Sequence, residues 1–188
     1  MRRDQPELTA GALRLRAFAD SDAIRVRELA GDPRVAATTL NIPHPYPERA
    51  AERFIADMNA GWWTGRNAVF AVIHPDDGLI GCCGLTIDAD HRRAELGYWI
   101  GAAWWNRGYA TAASRTLVAF AFAHLGLIRV FASHFTGNPA SGRVMAKVGM
   151  RFEGILRGHV CDRFSTQQDI ACFGILRSDV TKDHTVSP

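Results

Sequence analysis

The stretch Asn106-Arg107-Gly108-Tyr109-Ala110-Thr111 runs straight into a long apolar segment. A strand, a short loop and a helix start, in that order, gather free backbone N–H groups at one point, and the helix dipole adds partial positive charge there. Such a site attracts phosphate without needing a side chain. Gly108 lets a ligand approach the backbone, Ala110 keeps the next position small, Thr111 adds a hydroxyl and Arg107 a charge. Three nucleotide sites compete for this pattern. A phosphate loop needs G-x-x-x-x-G-K-[ST], and a dinucleotide fold needs G-x-G-x-x-G early in a strand–helix–strand unit; both are absent. The pyrophosphate of coenzyme A is the remaining candidate. Taken alone, R-G-x-A reads equally as an ordinary helix start.

Other chemistry is narrowed by what is missing. The seven histidines form no H-E-x-x-H or other metal spacing. Cys82, Cys83, Cys161 and Cys172 make no C-x-x-C, so no metal site is expected. Vicinal Cys82-Cys83 lies in an apolar run and reads as a small buried pair. The net charge is +3, with Arg2-Arg3 and Arg92-Arg93 the only adjacent basic pairs. Nucleic-acid binders concentrate their charge, so none is expected as a partner. No apolar run is long enough to span a bilayer, and the polar start Met1-Arg2-Arg3-Asp4 carries no signal core. A reduced, cytoplasmic setting is the natural reading.

The elements that must position these residues follow from periodicity. At 188 residues and 47% hydrophobic composition the chain suits one domain. Leu13 to Ala17 alternates as a strand, and Asp20-Ser21-Asp22 offers caps for a helix to Ala30. Pro47 opens a second helix, which Gly61 is expected to end. Ala68–Ile73, Leu79–Ile87 and Ala94–Ile100 read as a three-strand meander with polar turns. Helices at Tyr109–His124 and Pro139–Lys147 flank a strand at Leu127–Ser133. Gly149 stops the last helix, and strands follow near Met150–Arg157 and Gln168–Leu176. The expectation is an α/β (α+β) fold: a mixed, mostly antiparallel sheet of six to seven strands with about four helices. Residues 1–12 read as an extension, 13–177 as the domain and 178–188 as a polar, mobile tail.

The stretch "AELGYWIGAAWWNRGYATAA" resembles the GNAT superfamily of acyl-CoA-dependent N-acetyltransferases, whose Q/R-x-x-G-x-G/A motif falls on Trp105 to Ala110. Trp105 departs from the motif's first position, and an aromatic there is familiar in the RimJ/RimL-type branch, which acetylates protein N-termini. "GNPASGRVMAKVGMRFEG" resembles the same branch: Asn138, Ser141, Lys147, Gly149 and Glu153-Gly154 match at the expected spacing, and Met150 replaces the usual Phe. Asp169 matches an Asp common on the last strand. The resemblance covers roughly Leu13 to Arg177. It implies a GNAT fold with the fourth and fifth strands splayed, acetyl-CoA as cosubstrate and an amine as acceptor. Relatives often pair, so a homodimer is a further expectation.

The resemblance also distributes roles. Arg107, Gly108, Tyr109, Ala110 and Thr111 would hold the pyrophosphate, and backbone near Trp99, Ile100 and Gly101 the pantetheine arm. An N–H there could stabilise the oxyanion. Glu95 is the first candidate base, with Gly97 and Trp99 on its face by alternation; semi-burial would raise its pKa. A strand-end carboxylate paired with Arg92 or Arg93 is the competing reading, and a water relay or a neutral amine would remove the need for a base. Ser141 is the family-like acid, set against a role as helix cap or ST-turn. Asn138 serves either loop geometry or the pantetheine. Val160 falls where some N-terminal acetyltransferases place an acidic residue. Tyr46, Trp62, Trp63, His134 and His159 are candidates for lining the acceptor side, with Trp62 and Trp63 read mainly as packing. The acceptor is a protein N-terminal amine or a small amine. A small-molecule (antibiotic or polyamine) acetyltransferase and a non-catalytic acyl-CoA sensor are the alternatives.

Overall fold

A computed structural model describes residues 4–182 of the chain. Eight strands make one sheet: β1 (Leu8–Ala10), β2 (Leu13–Arg16), β3 (Asn67–His74), β4 (Gly78–Asp88), β5 (Arg93–Ile100), β6 (Arg129–Phe135), β7 (Arg151–Cys161) and β8 (Gln167–Leu176). Their order is β1-β2-β3-β4-β5-β6-β8-β7. The helices are α1 (Ala23–Ala30), α2 (Pro33–Ala37), α3 (Ala50–Thr64), α4 (Tyr109–His124), α5 (Pro139–Val148) and α6 (Arg177–Lys182). Neighbouring strands are antiparallel except β5 and β6. Those two run parallel because α4 carries the chain back between them.

The sheet is covered on both faces. Leu15, Phe70, Leu85, Leu96, Leu117 and Met145 form a core under α4 and α5. Val26, Ile55, Val69, Ala71 and Cys82 form a second core under α1 and α3. The vicinal cysteines divide between these cores, Cys83 into the first and Cys82 into the second, because successive strand residues face opposite ways. Burial pushes the Cys83 thiol up to about 12, against the pull of Ser114. Along β5 the same alternation sends Ala94, Leu96, Tyr98 and Ile100 toward α4 and α5. Glu95, Gly97 and Trp99 face the other way.

The feature that makes a site is a break in pairing. β5 pairs with β4 along its whole length, from Arg93 to Ile100. It pairs with β6 only from Arg93 to Glu95, opposite Arg129 to Phe131. Beyond Glu95 the two strands diverge and leave one edge of β5 open.

Three expectations are corrected. Leu8–Ala10, read as part of an extension, forms β1 and pairs with β2. Gly61 lies inside α3 rather than ending it; a Cβ there would strike the Asn67 side chain, so its smallness serves close packing. The actual stop is Gly65, at φ +78°, a left-handed conformation that glycine adopts without strain. The segment expected as a tail begins with α6, and residues 183–188 lie outside the described residues.

One partly buried ion pair ties the start of α1 to the sheet. Arg16 Nη1 and Nη2 donate to Asp22 Oδ2 at 2.7 Å and Oδ1 at 2.9 Å, and the Ala19 N–H donates to Oδ2 at 2.8 Å. Burial alone would push the Asp22 carboxyl up, but the Arg16 fork and the Ala19 N–H bring it below the usual value. Its stabilisation is therefore present above the ordinary carboxylate pKa and is lost as pH falls through the lowered one. Asp22→Ala leaves Arg16 without its partner and costs roughly 1–3 kcal/mol at neutral pH. Denaturant unfolding checks this, with the difference from the unaltered chain shrinking in acid.

Candidate functional site

Two cavities open where β5 and β6 part. The smaller, about 310 Å³, runs along the start of α4 and one side of α5. The larger, about 590 Å³, lies on the α1–α3 side of the sheet. Thr38, Tyr98, Trp99 and Ser141 line both, so these four residues mark their junction.

The smaller cavity ends at an uncapped helix. Gly108 sits at φ +80° as the residue before α4, and no side chain caps the helix. The first bond into the turn is Ala112 N–H to the Gly108 carbonyl, at 2.9 Å. The N–H groups of Tyr109, Ala110 and Thr111 have no acceptor among the described residues. All three residues, with Gly108, line the cavity. Across from them, Ala140, Arg143, Val144 and Lys147 present one face of α5 by helical spacing. Orphan donors, a helix dipole and two cations fit an anion such as a pyrophosphate. Arg107 is exposed and lines neither cavity.

α5 begins differently. Asn138 accepts from the Ser141 N–H through its Oδ1, at 3.3 Å, and donates through Nδ2 to the Thr38 carbonyl at 3.4 Å. Its amide therefore caps the helix and tethers the α2–α3 connection. On the other flank of that connection, Arg163 donates to the carbonyls of Ala36 and Thr39. With Asn138 serving as cap, the Ser141 hydroxyl is released from that duty. It lies 2.8 Å from the Tyr98 phenol, which also donates to the Ser141 carbonyl at 3.1 Å. Burial pushes Tyr98 up to about 12 against the pull of Ser141, so the phenol keeps its proton near neutrality.

Glu95 lines the larger cavity and is exposed, not half-buried. Its carboxylate has no ion pair or hydrogen bond among the described residues. The arginines that compete for it are engaged elsewhere: Arg92 donates to the Gly126 carbonyl at 3.1 Å, and Arg93 pairs with Asp88 at 3.0 Å.

The strand-end trio is only partly available. Trp99 and Ile100 line the smaller cavity, but the Ile100 carbonyl already accepts from the Trp105 indole N–H at 2.6 Å. Gly101 lines neither cavity. Its N–H donates to the Ile80 carbonyl at 2.8 Å and its carbonyl accepts from Trp104 at 2.9 Å. Pairing with β4 continues one residue past the strand, which takes Gly101 out of the set of free groups. Trp105, the departure from the motif, thus pins the loop to the strand end.

Of the residues expected to line an acceptor site, Tyr46 and His134 line the larger cavity, as does Val160, whereas Trp62, Trp63 and His159 do not. Trp62 is buried against Phe70 and Trp63 is 57% exposed. Asp169 accepts from the Gly158 N–H at 2.7 Å and holds an irregularity in β7. Sequence reasoning gave no role to Thr38, Tyr98 or Arg143. The i, i+4 spacing of Arg143 and Lys147 was a signal for the cationic wall; Tyr98, the one polar residue on an otherwise apolar face of β5, was another.

Residues 12–151 match the family described as acetyltransferase (GNAT) domain, and the chain belongs to that family. Among curated relatives it is 37% identical over 100 residues to the uncharacterized N-acetyltransferase YoaA of Bacillus subtilis. That match covers 53% of this chain and 56% of YoaA, so the chain spans little more than half of that relative. It is 30% identical over 134 residues to the L-amino acid N-acetyltransferase AaaT of Escherichia coli, covering 69% of this chain and 76% of AaaT. Among solved structures, the ribosomal L7/L12 α-N-protein acetyltransferase RimL in complex with coenzyme A superposes with a TM-score of 0.83 at 13% identity. It covers 91% of this chain and 98% of RimL, a likeness of fold. No helix among the described residues is long and apolar enough to cross a membrane.

Proposed function

We propose that the chain transfers an acetyl group from acetyl-CoA to a primary amine, an N-terminal or small-molecule amine, by direct attack on the thioester. The observation that carries this reading is the junction: an anion-binding cavity and an acceptor cavity share Thr38, Tyr98, Trp99 and Ser141. Acetyl-CoA, when bound, supplies an acyl carbon activated by its thioester. The backbone of Gly108 to Thr111 binds the pyrophosphate, with Arg143 and Lys147 adding charge. The open edge of β5 receives the pantetheine amides.

In the reaction an N–C bond forms, the C–S bond breaks, and the amine's proton and the sulfur's electron pair need destinations. Glu95 takes the proton. It lies four residues from Trp99 on β5, roughly 13 Å at ~3.3 Å per residue, so the transfer needs a chain of several waters rather than direct contact. Ser141 gives a proton to the leaving sulfur and takes one back from solvent, and Tyr98, a positioning residue, orients the Ser141 hydroxyl.

Release of free thiol from acetyl-CoA in the presence of an amine panel tests the reading; coenzyme A binding without release from any amine would instead mark a sensor. Ser141→Ala and Tyr98→Phe are each expected to lower kcat by about tenfold with KM for acetyl-CoA little changed. Because the two hydroxyls act as one unit, the double variant falls no further than Ser141→Ala alone. Additive losses would separate their roles.

A further inference from the structure

We infer that the acceptor is a single α-amine carried next to a large apolar side chain, as in a free hydrophobic amino acid or a peptide that begins with one. The inference rests on the acetyl-transfer reading and concerns the larger cavity of that same site. Among the residues lining this cavity, Asp57 and Glu95 are the only carboxylates. Arg53 lines it as well, one helical turn before Asp57 on α3, and brings the formal charge of the lining to one negative, while its guanidinium donates to the Glu48 carbonyl at 3.5 Å. Of the two carboxylates, Glu95 is the one the reaction uses for the amine. A polyamine or aminoglycoside brings further ammonium groups, and only Asp57, one turn from Arg53, remains to meet them.

The walls favour the opposite kind of ligand. Phe54 and Met58 project from α3, Met145 comes from α5, and Val160 and Ile170 come from the β7–β8 hairpin. Val160 makes this wall apolar where an acidic residue would have drawn a second cation. Both sides are held in place, since Arg163 of the hairpin region bonds the carbonyls of Ala36 and Thr39. An anchored apolar cleft discriminates by the surface it buries, and a missing branch or ring weakens a ligand by roughly 10–200-fold.

The test uses the full chain with acetyl-CoA, reading thiol release, and the chain with coenzyme A, reading amine binding by calorimetry. The amines are L-phenylalanine, L-leucine, a phenylalanine-initiated peptide, a serine-initiated peptide and spermidine. Phenylalanine or leucine, free or at the head of the peptide, is expected to exceed the serine peptide and spermidine by at least about tenfold in kcat/KM and in affinity. The free amino acids against the peptide separate the two sources. Phe54→Ala should lower kcat/KM for the phenylalanine acceptor while leaving coenzyme A affinity intact. Serine peptide or spermidine equal to or better than the apolar amines overturns the inference. Preferential binding of the apolar amines with no thiol release supports the ligand class and overturns the transfer reading, so the two failures are distinguishable.

Discussion

Glu95→Gln lowers kcat by about 10²–10⁴-fold and leaves KM for acetyl-CoA close to its starting value. Gln preserves the size and polarity of the side chain and removes only its capacity to take a proton. Glu95 lines the larger cavity, and its carboxylate has no ion pair among the described residues. Arg92 and Arg93, its neighbours in sequence, are committed to the Gly126 carbonyl and to Asp88. The variant should therefore fold normally, and thermal unfolding can verify that. Steady-state kinetics over a pH range checks the role: at high pH, where the acceptor arrives neutral, the gap between the two enzymes narrows. Equal kcat at neutral pH would mean that the amine needs no carboxylate base.

Gly108→Val weakens coenzyme A binding by about 30–100-fold, whereas Arg107→Ala changes it by no more than about twofold. Gly108 holds φ +80°, and a Cβ there meets no neighbour within 4 Å. The cost is therefore backbone strain, not collision. A β-branched residue in the left-handed region loses about 1–2 kcal/mol, and it relieves that strain by turning the N–H groups of Tyr109, Ala110 and Thr111 off their anion. Together these amount to about 2–3 kcal/mol, with about 1.4 kcal/mol per tenfold in Kd. Arg107 is exposed and lines neither cavity, so its charge is screened by solvent. Calorimetric titration of both variants with coenzyme A is the measurement. Equal losses would shift the binding from the backbone to the arginine side chain.

The sequence by itself determined what depends on neighbouring residues. Helix starts and stops at Gly108, Asn138-Pro139 and Gly149 are local, since a cap or a left-handed glycine acts on the next turn of chain. So are the continuous apolar runs of β3 and β4 between their polar turns, and the ordered motifs that mark the family. The tertiary structure alone decided what depends on distant chain. β1 is three residues long, too short for a periodic signal, and exists because β2 offers it an edge. The tether from Asn138 to the Thr38 carbonyl spans 100 residues, and the Tyr98–Ser141 pair spans 43. Those contacts decided that Asn138 also holds the α2–α3 connection and that the Ser141 hydroxyl meets the Tyr98 phenol, and the bond to Ile80 decided that Gly101 is already paired. They follow from where the diverging strands place α5, and no stretch of adjacent residues carries that information.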